Sequence, residues 1–148
     1  MLVRGATFDD AEWIVRELKD FSRFYGTHHP LFGDESVVRL KLEQAIERNQ
    51  IMVAEKTGTG PMGFLMWYIT PHVYNPAIRV ALMNLWWVAR KHRFSGAGQA
   101  LLDAFIAMGK GSADWVIVSI GKNCPIREES LLRRGFKLQE RGYLMEVK

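Results

Sequence analysis

The stretch Arg93-Phe94-Ser95-Gly96-Ala97-Gly98 constrains this chain more than any other. It follows an apolar run, Ile78 to Val88, and precedes an amphipathic run, Leu101 to Met108, so the predicted order is strand, glycine turn, helix. A turn of this kind points several backbone N–H groups at one place, where an anion can sit. Gly96 and Gly98 remove the Cβ atoms that would hold a phosphate away. Arg93 brings a fixed positive charge on a planar fork of donors, and the macrodipole of the following helix adds to them. The stretch reads as a cradle for a diphosphate-bearing ligand.

The periodicity on either side supplies the rest of the fold. Leu2 to Ala6 predicts a first strand. Asp9 or Asp10 then caps a helix whose inward face is Ala11, Ile14, Val15, Leu18, Phe21 and Tyr25, and Gly26 stops it. Thr27 to Glu35 reads as a loop holding His28 and His29, and Ser36 caps a second helix with Val38, Leu42, Ala45 and Ile46 inward. Ile51 to Glu55 and Met62 to Ile69 are strands joined by a glycine- and proline-rich hairpin turn. Ile78 to Val88 is the fourth strand, and its two apolar faces make it central. A fifth strand is expected at Trp115 to Ile120, a short helix at Arg127 to Arg134 ended by Gly135, and closing strands at Phe136 to Leu138 and Tyr143 to Val147. Mixed element order with a strand–helix–strand unit in the second half predicts an α/β (mixed α+β) three-layer fold, with residues 1–148 forming one domain.

Other cradles for a diphosphate are disfavoured. A dinucleotide fold wants three glycines and a carboxylate about 20 residues on, close after the next strand. Here there are two glycines, and the next strand ends in Ile120-Gly121-Lys122. A P-loop is excluded because no Gly-Lys-Ser/Thr follows. The net charge of +4 favours anionic ligands, but no dense Lys/Arg patch marks a nucleic-acid binder. One cysteine, Cys124, allows no internal disulfide, and with His72 and His92 far apart in sequence no metal site is expected. Without an apolar signal segment or a run of about 18 apolar residues, the expected setting is soluble and cytoplasmic, with no membrane partner.

Trp86-Trp87-Val88, four residues, then Arg93-x-x-Gly96-x-Gly98-Gln99 and a leucine-rich helix resemble the signature of the GNAT superfamily of acyl-CoA N-acyltransferases. Asn123 followed by Arg134-Gly135-Phe136 is similar to that family's second signature, and the element order agrees over nearly the whole chain. Spacing and aromatic content are also similar to acyltransferase-like proteins of bacteriophage genomes. The resemblance implies a mixed, mostly antiparallel central sheet with a V-shaped splay between strands four and five, and helices on both faces. It implies acetyl-CoA as co-substrate and transfer of its acetyl group to a primary amine by direct attack in a ternary complex. The acceptor would be a small molecule, a protein amine or an amino-modified nucleobase, and a homodimer is compatible. Phe94, Ser95, Gly96, Ala97, Gly98 and Gln99 would hold the CoA pyrophosphate through backbone N–H groups, with Arg93 shaping the turn. Trp86, Trp87 and Val88 would pair with the pantetheine arm, one amide (assigned to Val88) polarising the thioester carbonyl. Asn123 would bond the cofactor near its thiol end.

The chain departs from the family where proton transfer is concerned. The fourth strand, Met83-Asn84-Leu85-Trp86-Trp87, offers no carboxylate, which leaves Glu55 as a base acting through water. The family's acidic tyrosine position falls on Leu131 or, counted from Asn123, on Ser130. The alternative reading is therefore a CoA-binding or catalytically weak module of this fold, acting through protein contacts. His28 and His29 are further candidates for base work. Trp67, Tyr68, Trp86 and Trp87 are read first as core and second as an aromatic wall for an acceptor. Arg127, Arg133, Arg134 and Lys137 are read as a solvated face or as a contact for the CoA 3′-phosphate or a nucleic acid.

Overall fold

The computed structural model describes residues 1–25, 31–121 and 123–147; Gly26, His28, His29 and Lys122 lie outside the described residues. In chain order the elements are β1 (Leu2–Gly5), α1 (Ala11–Tyr25), α2 (Glu35–Glu47), β2 (Ile51–Lys56), β3 (Gly60–Pro71), β4 (Arg79–Val88), α3 (Ala97–Ser112), β5 (Trp115–Ile117) and α4 (Glu128–Arg133). Single 3-10 turns precede α1 and follow β4.

The strands form one sheet in the order β1-β2-β3-β4-β5, antiparallel throughout except for the parallel β4–β5 pair. Side chains alternate across it with the two-residue period of a strand. Val53 and Phe64 face α1 and α2, where they pack with Ile14, Val15, Leu42 and Ile46. Their neighbours Ala54 and Leu65 face α3 and pack with Leu101 and Phe105. Helices thus cover both faces, giving the three layers expected from the sequence. No helix among the described residues is long and apolar enough to cross a membrane.

Two features of β4 position the site. β5 pairs with it only from Val80 to Leu82, so Met83 to Val88 have no strand beside them on that side. This is the splay. Second, Met66 pairs with Leu85 but Trp67 with Met83, which makes Asn84 an extra, bulged residue on β4. A bulge bends and twists its strand locally.

Several boundaries differ from expectation. Thr7 and Asp10, rather than Asp9 or Asp10 as a simple cap, begin the first helical segment: the Thr7 N–H donates to Asp10 Oδ2 at 2.8 Å and the Asp10 N–H to Thr7 O at 3.0 Å. Asp34, not Ser36, caps α2, its carboxylate accepting from the Ser36 and Val37 N–H groups. β5 ends at Ile117, three residues early. The closing strands are absent: described residues 136–147 have no strand, and Tyr143 is 92% exposed. Apolar alternation there is real, but a three-residue β5 offers too short a ladder for a further strand to pair with.

Candidate active site

The splay opens a cleft between the C-terminal half of β4, the end of α1, the first turn of α3 and the segment after β5. It is a half-open cleft of about 820 Å³, open solvent included. Trp86, Trp87 and Val88 form its floor, Arg93, Phe94, Gly96, Gly98 and Gln99 one end, and Asn123 to Ile126 with Phe24 and Tyr25 the opposite wall.

The backbone of β4 is aimed by its ladder. The Ala89 N–H donates to Met62 O at 2.9 Å. Bonded and non-bonded pairs alternate in an antiparallel ladder. Trp87 therefore turns its amide to β3, whereas Trp86 and Val88 turn theirs to the open side.

The glycine turn ends in a row of unused donors. The N–H groups of Phe94, Gly96, Gly98 and Gln99 make no hydrogen bond among the described residues, whereas that of Ser95 reaches His92 O at 3.3 Å and that of Ala97 reaches the Ser95 hydroxyl at 3.3 Å. Gly96 caps α3 at φ 91°, a conformation L side chains resist. A Cβ there would meet nothing within 4 Å, so the space above the turn is clear. Phe94 also has positive φ, 66°, and its ring is 96% exposed. Free N–H groups, open space and the α3 N-terminus together fit a pyrophosphate.

Aromatic contacts hold this end in place. Trp87 is 4% exposed and lies on the α1 side. Its indole donates to Glu17 at 2.9 Å, and the rings of Phe21 and Phe24 meet it edge-on. The Arg93 guanidinium sits 4.5 Å from the Phe24 centroid and 4.9 Å from that of Trp87, a cation–π clamp. Trp86 lies on the other face, packed toward α3, with its Nε1–H buried and without a partner among the described residues.

Most of the residues implied by the resemblance thus line one cleft. Ser95 and Ala97 belong to the turn but not to the lining, and Ala97 is core. The two proposed proton carriers lie elsewhere. Glu55 is ion-paired with Arg4 at 2.8 Å, and Arg4 also binds Asp10, at the β1–β2 edge. Ser130 is buried on α4, where its Oγ accepts from Arg134 Nη1 at 2.6 Å. Neither lines the cleft. Arg134 is not a free cation on a solvated face: it also reaches Asp103 and the Gln99 side chain, tying α4 to α3.

Sequence reasoning missed Phe24, Tyr25 and Cys124. Tyr25 continues the inward stripe of α1, but it lies beyond the layer that α1 covers and reaches the cleft instead. Burial, with a smaller contribution from the nearby Cys124, pushes its phenol above the ordinary tyrosine range. No group of three or more His, Cys, Asp or Glu among the described residues could hold a metal ion.

The same fold recurs in solved structures over nearly the full chain. One described as a probable acetyltransferase is 19% identical, with a TM-score of 0.77 over 100% of this chain and 99% of that one. A transcriptional regulator from Bacillus halodurans C-125 is 21% identical, with a TM-score of 0.75 over 99% of each chain. A predicted acetyltransferase from Clostridium acetobutylicum, solved with acetyl-CoA, is 14% identical, with a TM-score of 0.71 over 99% of this chain and 96% of that one. No family model and no curated protein matches the chain by sequence. The fold is GNAT-like, as the resemblance carried by the glycine turn implied.

Proposed function

We propose that this protein is an acetyl-CoA-dependent N-acetyltransferase of the GNAT type, moving the acetyl group to a primary amine by direct attack in a ternary complex. The observation that carries the reading is the continuity of one cleft: the open amides of Trp86 and Val88 lead straight into the unused N–H row at Phe94, Gly96, Gly98 and Gln99. A pantetheine arm would lie along the first and its pyrophosphate against the second, with Asn123 near the thiol. The Val88 N–H, turned to the open side, suits polarisation of the thioester carbonyl, a contribution of about 3–4 kcal/mol where such donors have been removed. A neighbour of this fold, solved with acetyl-CoA, supports the choice of ligand.

Calorimetric titration with acetyl-CoA tests the reading, with Gly96→Trp as the blocked control; no binding at millimolar acetyl-CoA would sink it. Thiol release with a panel of small amines, peptides and amino-modified nucleobases then selects the acceptor. A second reading, a CoA-binding module acting through protein contacts, draws on the lack of any carboxylate or histidine among the described lining residues. Binding without thiol release across the panel would favour it.

A further inference from the structure

Thioester aminolysis leaves one proton to be moved. The attacking amine becomes an ammonium in the tetrahedral intermediate, and the sulfur leaves as a thiolate. If the cleft performs the proposed transfer, on which this inference rests, something in its wall has to carry that proton. Among the described lining residues only Tyr25 and Cys124 bear an O–H or S–H group; the remainder are apolar, amide, indole or guanidinium groups that stay as they are near neutral pH.

The geometry separates the two. The Tyr25 ring is fixed by Phe21, centroid to centroid 4.5 Å, and by Phe24 at 6.1 Å. Its hydroxyl occupies the space that a Cβ at Gly121 would fill, so the segment after β5 is shaped around it. That hydroxyl has no hydrogen-bond partner among the described residues, and Tyr25 lines the cleft. Among the described residues, Cys124 in the cleft wall and Arg93 and Arg90, both across Phe24, are ionisable groups near it.

We propose that Tyr25 is the proton shuttle of the transfer. As the C–S bond breaks and the N–C bond stands formed, the phenol gives its proton to the departing sulfur. The resulting phenolate takes the surplus proton from the ammonium nitrogen. The sum is thioester plus amine to amide plus free thiol, with Tyr25 returned to its starting state and no second acid or base required. A phenol is protonated at neutral pH, the state this role needs at the outset, and burial moves its pKa only further up. The proton function thus moves from α4, where the resemblance implies it, to the end of α1.

The experiment compares wild type, Tyr25→Phe and Cys124→Ser for calorimetric affinity toward acetyl-CoA and for kcat with the best amine of the panel. Tyr25→Phe should bind acetyl-CoA within about twofold of wild type yet lose kcat by about 100-fold or more, the range of general acid–base contributions. Cys124→Ser should lose at least about tenfold less kcat than Tyr25→Phe. Gly121→Ala, which crowds the hydroxyl without removing it, should lower kcat as well. A Tyr25→Phe variant with near-wild-type kcat overturns the shuttle while leaving the acetyltransferase reading intact, and so does an equal loss in Cys124→Ser. Wild-type protein that binds no acetyl-CoA, or that binds it and never releases thiol, overturns the functional reading itself and the shuttle with it.

Discussion

The indole Nε1–H of Trp87 donates to the Glu17 carboxylate at 2.9 Å across the buried seam between α1 and β4. Both residues are more than nine-tenths buried. The ring so fixed supports Phe21, Phe24 and the Arg93 guanidinium, hence one whole end of the cleft. Replacing Glu17 with Leu strands the indole donor. The expected loss is about 1–3 kcal/mol, the usual cost of an unsatisfied buried group. Glu17→Gln keeps an acceptor oxygen and should lose less. Urea unfolding midpoints of the two variants, read against wild type, check the order; equal losses would mean that the hydrogen bond contributes nothing beyond packing.

Gly96 and Gly98 look alike in sequence but have different jobs. At Gly96 there is open space but φ is 91°, so an alanine meets no atom and still incurs backbone strain of about 1–2 kcal/mol. At Gly98 the backbone is helical, and a Cβ would sit 3.4 Å from Val88 Cγ2 and 3.5 Å from Trp86 Cζ2, ordinary contact distances. Gly98→Ala should therefore leave thermal stability unchanged or slightly raised, since alanine favours the helix. Gly96→Ala should melt several degrees lower. Gly98→Leu has nowhere to place its branch except into Trp86 and Val88, and should weaken acetyl-CoA binding on calorimetry.

The glycine-turn end of this cleft was legible in the sequence because it is made by backbone. A glycine turn between a strand and a helix dictates where N–H groups point, whatever surrounds it. Trp86 to Val88 and Asn123 came from the resemblance to the GNAT signatures, and they line the same cleft. Which polar side chains reach the cleft was less legible. Glu55 and Ser130 are chosen by spacing along the chain, but side-chain partners decide their fate: Arg4 claims one and Arg134 the other. Tyr25 stood in plain sight as the last member of an inward stripe. That periodicity assigns it to a face, and only the packing reveals that the face has run past the sheet into the cleft. The closing strands failed for a related reason, because alternation marks a candidate strand but a ladder needs a partner.

Glu55→Gln and Ser130→Ala supply the matching prediction. Both residues lie off the cleft, so each variant should retain kcat within about twofold in the thiol-release assay while acetyl-CoA affinity stays level. A tenfold fall in either would return that residue to the chemistry.

Part of the acid sensitivity should reside at Asp10, with Asp34 and Glu35 also held below the usual carboxylate range by their hydrogen bonds. Burial acts to raise the Asp10 pKa, but hydrogen bonds from Arg4 and from the Thr7 N–H and hydroxyl, together with the Arg4 charge, outweigh this and hold it below the usual 3.8. A carboxyl group whose folded pKa is depressed gives stability that is complete above the unfolded value and lost as pH falls through the folded one. Wild type should thus lose part of its stability below about pH 4. Asp10→Asn should be less stable at pH 7 and show a shallower decline between pH 5 and pH 2. Urea titrations across that window measure both slopes, and parallel curves would assign the acid loss to other carboxylates.

The seat of α3 on the sheet gives the most direct packing test. A Cβ on Gly109 would come within 2.5 Å of Val116 Cγ2, closer than real Cβ atoms approach anything, and Ala81 Cβ lies 3.6 Å away on the other side. The helix cannot slide to relieve the clash without disturbing Leu101 and Phe105, which are fully buried against the same face. Gly109→Ala should therefore destabilise by about 1–3 kcal/mol despite the better helix propensity of alanine. Val116→Ala alone creates a small void and costs about 1 kcal/mol or somewhat more. Joined to Gly109→Ala, the same truncation removes the methyl group in the way, and the new Cβ fills the space left behind. The double variant should be more stable than the sum of the two single losses, by about 1 kcal/mol or more in a double-mutant cycle. Strict additivity would show that α3 shifts off β5 rather than pressing against it.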